Sequence, residues 1–408
     1  MVNKKITFDI IWYLSGDWDT DHRRQMITSF AKNMIPFGKI LCINRPVCLI
    51  TTPFFNNKKF IQWVKGQLAL KKITENLYIY TPFVFIYDQI ALKMRILAFL
   101  NRKILSFLLK KIINKIGFNG EFRLGWVYIP TQFDYLCLIG DNEYVYECFD
   151  DYSEFKFYFM NQQQLIHYGR KLANNALLVF NTAHKLYEKN VKINPRSYYI
   201  SNAVNVNLFT ATKQNNSIPY DMKILRHPIV GFIGNVDSNF VDCNLIKYIV
   251  SNNPSFSFVF LGKINKSVEV DAFLEMSNVH YLGFKRYEDL PSYVLSFDVG
   301  IIPFKVNEIT RSLNPLKVYE FMAAGCPVVA TDIPELQKFS NLISIAKNYN
   351  EFDSFLKRTL SSDLSELKKS LLKEINSHSW DSRTNEMISY IQRYLLEKCS
   401  GIMKKVSE

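Results

Sequence analysis

Apolar residues fall in short runs separated by segments of helical period. Residues 6–14 form a near-continuous apolar run broken by Asp9, residues 23–33 repeat at helical spacing, and residues 39–44 return to a run. Short apolar runs predict strands buried on both faces, and their alternation with helices predicts a parallel, doubly wound sheet. Further strands are predicted at 77–80, 126–129, 135–139, 144–146, 176–181 and 198–201. A second series is cleaner: strands at 229–233, 256–261, 279–282, 299–303 and 327–330 alternate with helices at 244–251, 287–296 and 316–324. Residues 210–228 between the two series are polar and carry two prolines, which predicts a junction. The expected organisation is an α/β chain of two Rossmann-like units, residues 1–210 and 211–378, followed by a terminal amphipathic helix over about 383–398 within 379–408.

Length agrees with two cores, since 408 residues exceed what one comfortably supports. Seven cysteines are scattered without a CxxC pair, which argues against a disulfide framework or a zinc site and for a reducing cytoplasm. Lys4 and Lys5 before an apolar stretch imitate a signal peptide, but Asp9 interrupts it and no small-residue cleavage site follows. No uncharged apolar run reaches the length of a transmembrane helix.

Charge changes the picture in one place. The formal net charge is +13, and residues 56–117 hold twelve basic residues against two acidic ones. Over 91–116, Arg95, Arg102, Lys103 and Lys110 share one arc of a helix, followed by Lys111, with Leu97, Leu100, Ile104, Leu108 and Ile112 roughly opposite. Such a helix can lie on an anionic membrane surface. Equally, its apolar face can pack on its own domain and leave the basic face solvated. No nucleic-acid-binding module accompanies the charge.

Ligands of open α/β sheets bind beyond the carboxyl ends of the strands, so the loops there carry the candidate chemistry. Gly231 and Gly234 bracket the end of one strand, and Gly234-Asn235 lets backbone approach a ligand closely. Gly262 and Lys263 stand at the next, within reach of a base or a phosphate. The strongest segment is SLNPLKVYEFMAAGCPVVATDIPEL, residues 312–336. Asn314 can cap, and Pro315 and Leu316 can open, a helix whose unpaired amides, with Lys317, would suit a diphosphate. Glu320 lies one turn on, placed for ribose hydroxyls. Gly325-Cys326-Pro327 then ends the helix.

These motifs resemble the donor domain of GT-B glycosyltransferases, in particular glycosyltransferase family 4. GFIGNV, HYLGFKRYEDLPSYVLSFDVGIIPF and NPLKVYEFMAAGCPVVATDIPEL are similar to that family's successive motifs. DWDTDHRRQ, YVYECFDDYSEF, SNAVNVNLF and HSWDSRTNEM extend the likeness over most of the chain, residues 56–120 excepted. The resemblance implies a GT-B fold in which Glu320 holds the ribose, Lys317 and nearby amides the diphosphate, and Gly234 lines the donor site. The chain departs from the pattern at Ser312, where the family has a glutamate, and lacks the Arg and Lys usual after the first donor-domain strand, a place Lys263 or Arg311 can fill. On the acceptor side Asp150 and Asp151 stand where the family presents a histidine, as base, acceptor-orienting group or helix cap. Gly16, Asp17, Asp19, His22 and Arg23 follow the first strand, at the expected mouth of a cleft.

The implied activity is retaining transfer of a sugar from a nucleotide-diphosphate donor to a saccharide acceptor. A lipid-linked acceptor at the inner membrane face, in capsule or lipopolysaccharide assembly, fits the basic segment. No metal or other cofactor is expected, because no DxD motif lies in a donor-binding loop. A sugar-nucleotide 2-epimerase and a non-catalytic nucleotide-sugar-binding partner subunit are the alternatives.

Overall fold

A computed structural model describes residues 6–50, 52, 56–66, 69–85, 95–136, 138, 143–154, 161–215 and 218–400, the side chains of Arg95, Leu97, Ala98 and Asn215 excepted. The chain forms two compact units, Met1–Ile200 with Arg383–Glu408, and Ser201–Ser382. The second begins earlier than the polar stretch 210–228 implies, because Val204 pairs with Ser379. Nor is that stretch an irregular linker: Val206–Asn215 and Tyr220–Lys223 are helical.

In the first unit the strands run, from one edge, Ser197–Tyr199, Leu178–Asn181, Tyr144–Cys148, Phe122–Val127, Phe8–Tyr13, Ile40–Ile43, Leu77–Tyr80 and Lys71–Lys72, all parallel except the last. The central strand Phe8–Tyr13 is buried along its whole length. Its one charged residue, Asp9, accepts the Lys39 amide at 2.7 Å and the Gly120 amide at 2.8 Å, so the carboxylate ties down both neighbouring loops. Residues 130–135 are a 3-10 turn rather than the start of the strand predicted at 135–139; Cys137, Ile139, Gly140, Asp141 and Asn142 lie outside the described residues.

The second unit carries the sheet order Val279–Gly283, Ser257–Leu261, Ile229–Ile233, Val299–Ile302, Val328–Thr331, Ser344–Ala346, parallel throughout. Chain order reverses between Ile229–Ile233 and Val299–Ile302, which is where a doubly wound sheet opens a ligand crevice at its carboxyl edge. The helix predicted at 287–296 is shorter, Leu290–Val294. The last strand and the helices Tyr349–Ser361 and Ser365–Ile375 complete this unit.

The terminal helix, Trp380–Cys399, joins the first unit from Arg383 onward. Thr384 Oγ1 lies 3.1 Å from Ser29 Oγ, Gln392 accepts the Ile6 amide at 3.0 Å, and Tyr390 stacks on Tyr198 at 3.8 Å between centroids.

The long basic helix spans Arg95–Ile116, but its docked face differs from the predicted one. Asn101, Leu105, Leu109, Ile113 and Ile116 are buried against the first unit's core, whereas Leu100 is exposed. Arg102 pairs with Asp134 at 3.1 Å, and Lys103, Lys110 and Lys111 are exposed. Arg95 opens the helix, and its side chain lies outside the described residues. No helix among the described residues is long and apolar enough to cross a membrane. The described cysteines, Cys42, Cys48, Cys148, Cys243, Cys326 and Cys399, are free.

Candidate functional site

Helix Leu316–Ala324 starts directly after Pro315 with no side-chain cap; the Val318 amide donates to the Pro315 carbonyl at 3.3 Å, which leaves the Leu316 and Lys317 amides without an intrahelical acceptor. The expected cap does not form, because Asn314 is held elsewhere. Its Oδ1 accepts the Tyr319 hydroxyl at 2.9 Å and its Nδ2 donates to Glu335 at 3.3 Å, which leaves the helix start open while fixing its position. Gly325 ends the helix in the left-handed region at φ 68°, as its composition predicts.

Lys317, in the first turn of that helix, reaches back to the sheet reversal. Its Nζ lies 4.1 Å from the ring centre of Phe304, just past Val299–Ile302, and 4.8 Å from that of Phe232, within Ile229–Ile233. Gly234 has φ 119°, a backbone that favours glycine, and a Cβ there would stand 3.2 Å from Lys317 Nζ, close enough to press on the lysine. The next strand end crowds in behind: a Cβ on Gly262 would meet the Gly234 carbonyl. Sequence reasoning found the lysine and the glycine but missed the two rings; Phe304, one residue beyond Pro303 at a strand end, was the available signal.

Among the described residues no carboxylate comes within ion-pair distance of Lys317. Although the side chain keeps some solvent contact, desolvation pushes its ammonium down to about 7, with Glu320 pulling the other way. Desolvation likewise pushes the Glu320 carboxyl up to about 7, against the pull of Lys317. Burial raises Tyr287, and the neighbouring Glu320 charge adds to it. A lysine and a carboxyl thus lie desolvated side by side at an open helix start, the kind of paired perturbation that marks a candidate ligand site.

The remaining donor-side residues divide. Asn235 is exposed beside Gly234, whereas Lys263 lies over the Phe284 ring at 5.6 Å and Arg311 pairs with Glu308 at 3.4 Å. Ser312 is fully buried, and its hydroxyl has no hydrogen-bond partner among the described residues. Pro315 is buried and Leu316 part-buried at the helix start.

In the first unit the carboxyl ends of Phe8–Tyr13, Phe122–Val127 and Tyr144–Cys148 gather a second cluster. Arg23 is no surface arm: it pairs with Glu147 at 3.0 Å, each side chain 1% exposed, while Trp126 Nε1 donates to the same carboxylate at 3.0 Å. That buried pair fixes the Arg23 guanidinium 4.8 Å from the Phe149 ring centre. His22 sets its ring edge-on to Phe149 at 4.8 Å. It keeps an open face, yet the protein around it desolvates it and lowers its pKa to about 4, against the pull of Asp21.

Asp150 follows Phe149, and burial lifts its carboxyl to about 7, opposed by Arg23 and aided by Asp151. Asp151 differs: desolvation acts on it too, but hydrogen bonds from Ser153 and Lys189, the latter at 2.9 Å, hold it below its usual value. Asp151 therefore caps the 3-10 turn Tyr152–Glu154, its Oδ1 accepting the Ser153 amide at 3.3 Å, and of the two carboxyls only Asp150 is shifted upward. Asp17 is tied to Lys59 at 2.6 Å, Asp19 is exposed, and the Gly16 carbonyl accepts the Arg45 amide at 3.1 Å. The Arg23–Glu147 pair, 124 positions apart, had no local sequence signal.

Two Rossmann-like units, the second with a lysine at its sheet reversal, define a GT-B type of fold. Solved structures agree. Sucrose-phosphate synthase from Thermosynechococcus elongatus matches with a TM-score of 0.71 at 14% identity, covering 96% of this chain and 100% of that one. Anabaena Alr3699/HepE, solved in complex with UDP and glucose, matches with a TM-score of 0.59 at 14% identity, covering 94% and 99%. Residues 227–355 match the family model described as glycosyl transferases group 1. Among curated proteins, the chain is 33% identical over 144 residues, 34% of its length, to TuaH of Bacillus subtilis (strain 168), assigned as a teichuronic acid biosynthesis glycosyltransferase. That match spans about a third of the relative's length, 35%.

Proposed function

We propose that the chain is a glycosyltransferase that moves a sugar from a nucleotide-diphosphate donor to a saccharide acceptor in surface-polysaccharide synthesis. The observation that carries the reading is Lys317, desolvated over Phe232 and Phe304 at the open helix start. In this reading the amides after Pro315 and the Lys317 ammonium hold the diphosphate and take up charge as the leaving group departs, with no metal required. Glu320 accepts hydrogen bonds from the ribose, and Asn235 borders the donor with Gly234. Asp150, which follows the Phe149 ring that His22 contacts, receives the acceptor hydroxyl. Transfer proceeds with retention, the acceptor is lipid-linked, and the setting is capsule or lipopolysaccharide assembly at the cytoplasmic face of the plasma membrane.

Glu320→Ala tests the donor assignment. Loss of hydrogen bonds to a charged group lowers kcat/KM roughly ten- to a hundredfold, chiefly through KM for the nucleotide sugar. Unchanged kinetics would remove Glu320 from the site. The full burial of Ser312, where the family resemblance places a glutamate, favours a second reading, a non-catalytic subunit that binds nucleotide sugar. Wild-type protein that binds a donor but turns over none of the saccharide acceptors tried would establish it.

A further inference from the structure

Among the described residues, the helix Arg95–Ile116 keeps a second apolar face exposed. Its core contact is made by Asn101, Leu105, Leu109, Ile113 and Ile116. Turned outward instead are Ile96 at 77% exposure, Phe99 at 57% and Phe107 at 67%, with Leu100 also exposed. On an ideal helix Ile96, Phe99, Leu100, Lys103, Phe107, Lys110 and Lys111 share this side, so the exposed lysines border the apolar residues. Lys103 Nζ lies 5.3 Å from the Phe99 ring centre.

On the docked side of the helix, Asn101 Oδ1 accepts the Phe85 amide at 3.1 Å and the Phe85 carbonyl accepts the Ile50 amide at 3.3 Å; the side chains of Phe85 and Ile50 are themselves exposed. In the same unit the helix Asn57–Val64 buries none of its residues and carries the exposed Lys58, with the exposed Lys65 after it. Exposed aromatic and aliphatic groups ringed by lysines on a helix already anchored to its domain are a costly arrangement in water, and one that a protein partner of neutral surface would not match.

We propose that this face of the first unit docks on an anionic bilayer, with Ile96, Phe99 and Phe107 entering the headgroup boundary and Lys103, Lys110 and Lys111 lying among the phosphates. The apolar groups give binding that salt does not abolish, and the lysines give the preference for anionic lipid. The surface lies in the first unit and does not depend on the donor seat of the second.

Cosedimentation of the full chain with vesicles tests this, using phosphatidylcholine alone and phosphatidylcholine with phosphatidylglycerol. The expected result is stronger binding to the mixed vesicles, falling at high salt to the weaker binding that phosphatidylcholine alone supports. Phe99→Ser with Phe107→Ser should lower the affinity at least about tenfold and make what remains fully salt-sensitive. Lys103→Gln with Lys110→Gln and Lys111→Gln should lower it on the order of a hundredfold, each lysine near the surface counting for roughly fivefold. Unchanged thermal unfolding and unchanged turnover on a water-soluble acceptor show that the variants fold and separate this result from the enzymatic reading. Equal binding by wild type and both variants, no binding to mixed vesicles at low salt, or a dimer in solution that the serine variant dissolves would each overturn the proposal.

Discussion

Lys317→Met lowers kcat/KM for the nucleotide sugar by about a hundred- to a thousandfold and at the same time raises the melting temperature of the unliganded protein. The first effect follows from removing a preorganised cation at the point where negative charge develops on the diphosphate. The second follows from linkage. The ordinary lysine value is 10.5 and the folded value about 7, with desolvation as the cause and Glu320 opposing it. Between those values the folded chain binds fewer protons than the unfolded one, so the lysine destabilises the fold fully below about pH 7 and progressively less as pH rises toward 10.5. Methionine keeps the aliphatic contact with Phe232 and Phe304 without the desolvated charge. Activity lost with stability gained is the signature of a group placed for a ligand. Steady-state kinetics and thermal melts at pH 7 measure both halves; a variant that loses both activity and stability would assign the lysine to the architecture.

Asp150→Asn lowers kcat by about a hundred- to a thousandfold, while Asp151→Asn leaves it within a few-fold of wild type. Burial holds the Asp150 carboxyl near 7, above its ordinary 3.8. As a base it acts ionised and supplies the acid limb of wild-type kcat/KM near pH 7, while loss of the Lys317 ammonium supplies the falling limb above it, so the profile is bell-shaped and the asparagine variant loses the acid limb alone. Asp151 shifts the other way, held down by Ser153 and Lys189 against its own desolvation. Its depressed value stabilises the fold above about pH 4, and that contribution fades as pH falls through the folded value. Asp151→Asn should therefore lower the melting temperature above about pH 4, with the difference from wild type vanishing as pH falls through the folded value. A pH–rate profile for both variants separates the roles, and an Asp150→Asn enzyme with an unaltered acid limb would exclude it as the base.

The second unit was the more legible from sequence, and the reason is physical. Strands such as Ile229–Ile233 and Val328–Thr331 are buried on both faces, so each appears as an unbroken apolar run with a turn residue behind it. Lys317 and Glu320 were found because a helix start of known position orders its own first turns. What escaped was set by distance in the chain. Asn314 was expected to cap the helix, but Glu335 and Tyr319 claim its side chain. The Arg23–Glu147 pair joins residues whose neighbours say nothing of each other.

The basic helix failed differently. Isoleucine, leucine and phenylalanine surround most of Arg95–Ile116, so the pattern did not single out which side the sheet would cover. The arc through Leu97, Leu100, Ile104, Leu108 and Ile112 was rotated from the buried line through Leu105, Leu109 and Ile113. Likewise Val206–Asn215 was polar enough to pass for a linker, although Phe209 is buried in the second unit's core.

Thermal melts of wild type and Lys317→Met against UDP, GDP and dTDP sugars test the donor seat most directly. A ligand at a hundred times its Kd stabilises the folded state by about 2.7 kcal/mol, a rise of a few degrees for a chain of this size. At least one nucleotide sugar should raise the wild-type melting temperature by that amount and leave the methionine variant nearly unmoved. Failure of all three nucleotide classes, or equal stabilisation of both proteins, would contradict the assignment of Lys317 and the helix start to the diphosphate.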